Sequence, residues 1–318
     1  MIETLRTTNA YCPWLFTIFF GILGAIIGSF LNLCIHRLPR GESVVSPRSH
    51  CGCGTPIPWH LNIPVFSWFL LRGRAACCGR AFGLRHPLVE TLTAVLFALC
   101  WTFLPWRMAL SGMLFASWLT VLAFIDLDTM TLPDTPNLGL ALSGLLLSAF
   151  LPELHGGAPS ADLIPPVTAV FSSLRDAFLG ILVGSGLLYW LRLIATVLAG
   201  REAMGEGDII LLGGIGAFCG WQGALFALFG GATLGAIVLI PILLIKKILA
   251  RHDAEATARA ASLASYEGDE TAADSTTYRG LEVPFGPWLA LGAFTWFLFF
   301  KKPLVQIFSL LVLPNTRG

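Results

Sequence analysis

Two groups of acids stand where long apolar stretches give way to polar chain. Phe124-Ile125-Asp126-Leu127-Asp128 runs on through Thr131-Leu132-Pro133-Asp134, and Gly205-Glu206-Gly207-Asp208 leads into a further apolar run. A charged side chain at hydrocarbon costs at least about 2.5–3.5 kcal/mol, so acids kept there call for a reason. Two carboxyls that converge can hold a water between them, one ionised to take its proton and one protonated to polarise a peptide carbonyl. That is the chemistry of an aspartic protease, with Asp126 and Asp208 as the pair. The negative end of one helix dipole beside Asp126 and the positive end of another beside Asp208 make Asp208 the expected base and Asp126 the expected acid. Gly205 and Gly207, on either side of Glu206, permit positive φ or the close approach of another segment. The plainer role for any one of these acids is a helix cap, and Asp134 before Thr135-Pro136 fits one, because proline is welcome in a first helical turn.

Other hydrolytic chemistries lack their residues: no GxSxG serine, HExxH, phosphate-binding loop or dinucleotide fingerprint occurs. Four of the eight cysteines, Cys51, Cys53, Cys77 and Cys78, lie in one polar stretch. Eight are too sparse for a disulfide scaffold. Where that stretch sits decides their chemistry. Glu90 reads as a solvated interfacial group or as a polar contact of the stretch before it, and Asn32 as an interhelical hydrogen bond.

The chain that must position these groups has 318 residues, 55% apolar and 12% charged, with a mean hydropathy of +0.75. This composition excludes a water-soluble enzyme. A formal charge of +1 leaves no basic field for nucleic acid, so the expected partner surface is the lipid bilayer. Apolar runs at 14–35, 87–104, 108–125, 136–151, 174–199, 209–220, 223–245 and 285–300 make about eight spans. The first carries its charges after the run, the reverse of a cleaved signal peptide. Between the first two runs lie Arg37, Arg40, Arg48, Arg72, Arg74, Arg80 and Arg85 against one acid, Glu42, so 36–86 is expected in the cytoplasm. Alternation then puts 126–135, 200–208 and 246–284 on the same side, with both acid groups facing the cytoplasm. Lys301 and Lys302 run against the rule.

The expected fold is therefore an all-α polytopic membrane protein. Residues 1–36 form an N-terminal segment and first transmembrane helix, 37–86 an Arg- and Cys-containing cytoplasmic loop domain, and 87–318 the membrane domain with the catalytic acids. A mobile cytoplasmic loop is expected at 251–283, which is rich in Ala, Ser, Thr and acids. The alternative function is a proton-coupled small-solute transporter using the membrane-edge acids. It calls for acids nearer the midplane and broken helices in corresponding halves.

Taken together, these residues resemble the type IV prepilin peptidases, membrane aspartic proteases of the GxGD type. The likeness runs through Gly28-Ser29-Phe30-Leu31-Asn32 with Arg37-Leu38-Pro39, then Pro47-Arg48-Ser49-His50-Cys51, Asn62-Ile63-Pro64-Val65 and Arg72-Gly73-Arg74. It continues in His86-Pro87-Leu88-Val89-Glu90, Asp126 to Asp134, Met204 to Asp208, and Pro284-Phe285-Gly286-Pro287. The resemblance implies that Asp126 and Asp208 are catalytic and that Asp134, Gly205 and Gly207 belong to the active-site motifs. It implies a substrate, the leader of type IV prepilins or of secretion-system pseudopilins, cut after a Gly at the cytoplasmic face of the bacterial inner membrane. It further implies N-methylation of the new N-terminus with S-adenosylmethionine, tied to the loop domain; for this only the resemblance speaks. The sequence departs from the family in three places. The family's two C-x-x-C pairs, a zinc-like spacing, are here Cys51-Gly52-Cys53 and the adjacent Cys77-Cys78, which would share one zinc awkwardly, with His50 or His60 to complete the set; reduced thiols without a metal are the other reading. A lysine two positions after the GxGD motif is here Ile210, and the 251–283 segment is long.

Overall fold

The computed structural model describes residues 13–46, 51, 53–58, 61, 63–157, 165–200, 205–264 and 284–300. Among them there is no strand; Arg74 and Ala81 form an isolated bridge. The helices are α1 (Pro13–Arg37), a short α2 (Phe66–Leu70), α3 (Arg85–Phe103), α4 (Trp106–Thr129), α5 (Asp134–Phe150), α6 (Val167–Ala199), α7 (Glu206–Ala264) and α8 (Gly286–Thr295). A π-turn at Trp296–Phe300 prolongs α8. Five helices are long and apolar enough to cross a membrane: α1, α3, α4, α6 and the Glu206–Ile245 part of α7. The protein is thus an all-helical membrane protein, as its composition requires.

The runs at 209–220 and 223–245 form two helical arms of α7 that meet at Gly220, whose φ of 72° and ψ of 178° suit only glycine. The Ala217 carbonyl beside the break accepts a hydrogen bond from His155 Nε2 at 3.1 Å, so a side chain from the turn after α5 secures it. The helix then runs on through Ala264, and the stretch predicted as a mobile loop from 251 is helical to that point. An alanine-rich segment that continues an existing helix adds residues without a new nucleation cost. Residues 265–283, with Lys301 and Lys302, lie outside the described residues.

Between apolar helices in lipid, close contact does the work that water exclusion does elsewhere. α6 and α7 meet at Gly180 and Gly216, where a Cβ on either residue would fall 2.1 Å from the other's carbonyl oxygen. Asn32 Nδ2 donates to the His86 carbonyl at 3.1 Å and ties α1 to α3. The centre is aromatic: the ring of Phe115 on α4 stacks on Phe218 of α7 at 4.7 Å and lies 5.3 Å from Phe297 after α8. All three are buried. On each of these helices the residue that reaches the site described below, Asp126, Asp208 or Gly286, is ten or eleven positions from its ring. At 1.5 Å per residue that is about 15–16 Å, so the aromatic cluster brings the three out level.

Candidate active site

Four helix ends converge around the acids: the C-terminus of α4 and the N-termini of α5, α7 and α8. Asp126, in the last turn of α4, is 5% exposed, and Asp208, in the first turn of α7, is 8% exposed. Leu132, six positions after Asp126, packs against Gly207, the residue before Asp208, so both acids lie at this end of the bundle. Among the described residues neither forms an ion pair with a cation; Ile210, where the family likeness calls for lysine, is apolar and partly exposed.

Asp126 is held by the chain's distant end. Its Oδ2 accepts a hydrogen bond from the Gly286 backbone N–H, the first residue of α8, at 2.8 Å. This donor is one of the orphan N–H groups every helix leaves at its start, and a carboxylate is its natural partner. The Pro284-Phe285-Gly286-Pro287 motif by itself assigns Gly286 no role. The available signal was a glycine just before a helix-starting proline, where a side chain is excluded by something close. Here that something is Asp126 itself: a Cβ on Gly286 would lie 2.7 Å from Oδ2.

The GxGD turn is shaped by contact rather than by unusual backbone. Neither Gly205 nor Gly207 has a positive φ, so that expectation is corrected. Gly207 instead lets Leu132 approach: a Cβ there would sit 2.5 Å from Leu132 Cβ and 3.1 Å from its carbonyl oxygen. Gly205 lies beside Asp208, with a built Cβ 3.9 Å from Oδ2. Glu206 points outward and pairs with Arg192 of α6 at 3.0 Å. Asp134 is the first residue of α5, exposed, and makes no capping hydrogen bond; Pro133 occupies the cap position. Asp128 pairs with Arg85 at the start of α3.

The loop before α3 docks at the same end. Glu90, 8% exposed, accepts the Val65 N–H at 2.6 Å and also bonds Ser29 of α1. Of the two roles read for it, the polar contact with the preceding stretch holds. Val65 has a φ of 62°, a strained conformation for a β-branched residue, and the buried carboxylate holds it there.

The four loop cysteines come together. Cys51 and Cys78 sulfurs lie 3.6 Å apart, Cys53 and Cys77 sulfurs 3.4 Å, and all four fall within 4.8 Å of one another. Adjacency of Cys77 and Cys78 is no obstacle. A tight turn, closed by Gly79 N–H on the Ala75 carbonyl at 2.8 Å with Gly79 at φ 68°, presents both to the facing pair. A tetrahedral zinc with bonds of about 2.3 Å spaces its sulfurs about 3.8 Å apart, so this donor set fits one. The Cys53 thiol is lowered to about 6, chiefly by hydrogen bonding to the Thr55 side chain and then its backbone. Cys77 is raised to about 12, chiefly by its hydrogen bond with Cys51 and then that with Cys53. His50 and His60 lie outside the described residues.

Residues 22–104 match the Bacterial Peptidase A24 N-terminal domain, and residues 113–240 match the Type IV leader peptidase family. The prepilin leader peptidase/N-methyltransferase of Myxococcus xanthus (strain DK1622) is 35% identical over 274 residues, 86% of this chain and 73% of that protein. Its namesake in Klebsiella pneumoniae is 35% identical over 70% of this chain and 92% of that protein. The one in Aeromonas hydrophila is 36% identical over 74% and 83%. No solved structure matches the chain. With both segments matched in order, and with relatives of this identity aligned along most of their own length, the chain belongs to the type IV leader peptidase family.

Proposed function

We propose that Asp126 and Asp208 are the catalytic pair of an aspartic endopeptidase that removes the leader of type IV prepilins and pseudopilins at the cytoplasmic face of the bacterial inner membrane. The observation that carries this reading is two buried acids, from α4 and α7, at one end of the helix bundle, where Leu132 packs on Gly207. A water between them gives its proton to the ionised carboxyl while the protonated partner polarises the scissile carbonyl. Collapse of the tetrahedral intermediate then passes a proton to the leaving amine. Because Asp126 Oδ2 accepts from Gly286, the proton the pair shares is carried on Asp126 Oδ1 or on Asp208. Asp134, Gly205 and Gly207 shape this site.

In the same reading the chain crosses the membrane about eight times, with the Arg- and Cys-containing loop domain in the cytoplasm between the first two spans. α5 packs alongside the first arm of α7, from Leu132 against Gly207 to Gly144 against Ala217, and so reaches the same depth. At about 25 Å its 17 residues suffice with slight local thinning of the bilayer. The partition into 1–36, 37–86 and 87–318 follows from this topology. Cys51, Cys53, Cys77 and Cys78 would hold a structural zinc that closes the loop domain. Methyl transfer from S-adenosylmethionine rests on the relatives' names. A groove of about 580 Å³ beside the loop, lined by Ser29, Phe30, Ile63 and Pro64 among apolar side chains, offers one hydroxyl and no carboxylate among the described residues, and these do not fit that charged donor.

The test is leader cleavage of a type IV prepilin by the purified protein in detergent. Wild type cuts; Asp126→Asn and Asp208→Asn do not, and retained cleavage in either removes the pair. pH–rate profiles of Asp126→Glu and Asp208→Glu read the division of roles, and coincident displacements of both limbs remove the base and acid assignment.

A further inference from the structure

The peptide that carries Asp208 is gripped from a neighbouring helix. Asn137, in the second turn of α5, is fully buried, and its Nδ2 donates to the Gly207 carbonyl at 3.4 Å. Its Oδ1 has no hydrogen-bond partner among the described residues. The neighbours along α5 are apolar: Pro136 and Leu140 are buried with it, and Leu140 fills the space over Gly214 of α7. A buried amide uses both its donor and its acceptor, or it is replaced by an apolar residue of the same size at little cost. A buried acceptor left without a partner, on an amide whose donor is spent on the peptide before Asp208, therefore points to a donor supplied by the working site.

Resting on the aspartic peptidase reading above, we propose that Asn137 is a positioning residue for Asp208. Nδ2 fixes the Gly207 peptide, and Oδ1 accepts a hydrogen bond from a water that donates its second proton to the Asp208 carboxyl. Such a water has the polar partners a buried water needs, and it sets the rotamer of Asp208 without touching the scissile bond. Substrate binding does not pass through Asn137, so its loss falls on turnover rather than on affinity.

An isosteric pair isolates this role. Asn137→Val and Asn137→Thr have equal shape and helix cost and differ by one hydroxyl, which can donate to Gly207 or accept from a water. In leader cleavage by the full chain, kcat for Asn137→Val is expected to fall about tenfold or more at unchanged KM, the signature of a displaced catalytic group. Asn137→Thr is expected to keep most of the wild-type kcat, with melting temperatures of the two within a few degrees. Equal kcat in Val and Thr, whether both high or both low, overturns the proposal, because packing alone would then account for the site. If Asn137→Val does not fold, Asn137→Ala against Asn137→Ser makes the same comparison. Asp208→Asn runs in parallel: loss of cleavage there beside wild-type turnover in Asn137→Val would sink the positioning role and leave the catalytic pair standing.

Discussion

The backbone N–H of Gly286 donates to Asp126 Oδ2 at 2.8 Å, joining the last described helix of the chain to an acid in the middle of it. The contact leaves no room for a side chain, since a Cβ on Gly286 would press on the carboxyl it serves. Gly286→Ala is expected to lower leader cleavage by tenfold or more, on the order of what a misplaced catalytic group costs, with little change in melting temperature. Wild-type turnover in this variant would show that the contact does not position Asp126.

Gly207 is glycine for a different reason, the nearness of Leu132. The clash in Gly207→Ala involves backbone as well as side chain, so relaxation must move the start of α5 or of α7. Overpacking of this kind costs about 1–3 kcal/mol. A lowered melting temperature together with lost cleavage is expected. Gly205→Ala, whose added methyl meets only ordinary contact with Asp208, should be milder by both measures.

The cysteine cluster separates metal binding from proteolysis. One zinc per chain is expected from elemental analysis, falling well below one in Cys51→Ser and in Cys78→Ser, while leader cleavage persists. In metal-free protein, Cys53 with a value of about 6 is thiolate at neutral pH, and Cys77 at about 12 is not. Iodoacetamide at pH 7 should therefore label Cys53 ahead of Cys77, and the preference should fade as pH drops below about 6 and Cys53 takes up its proton. Equal labelling at pH 7, read by mass spectrometry, would contradict this.

Glu90 anchors the loop through Val65. Glu90→Leu leaves a part-buried N–H without an acceptor, at about 1 kcal/mol, and releases Val65 from its strained φ. Faster amide exchange confined to residues 63–67 is expected, with Asp126 and Asp208 still competent for cleavage.

The sequence by itself determined that the chain is an all-helical membrane protein, that acids stand at the margins of its apolar runs, and which two acids resemble the family motifs. Each of these is a local property: hydropathy over a span, the cost of a charge at hydrocarbon, a short pattern of residue types. Glu90 was legible as a membrane-edge acid but not as the partner of Val65, and the cysteine spacing suggested awkward ligation that a glycine turn removes. The helical character of 251–264 was likewise hidden by composition, because the helix that extends into it begins far upstream. Only the tertiary structure decided that Gly286 serves Asp126, that Asn137 holds the GxGD peptide, and that Phe115, Phe218 and Phe297 bring their helices out level. Those facts depend on the rotation and depth of one helix against another, set by where glycines let backbones touch and where large rings fill the space between. No periodicity along a single segment carries that information, since it belongs to pairs of surfaces distant in the chain.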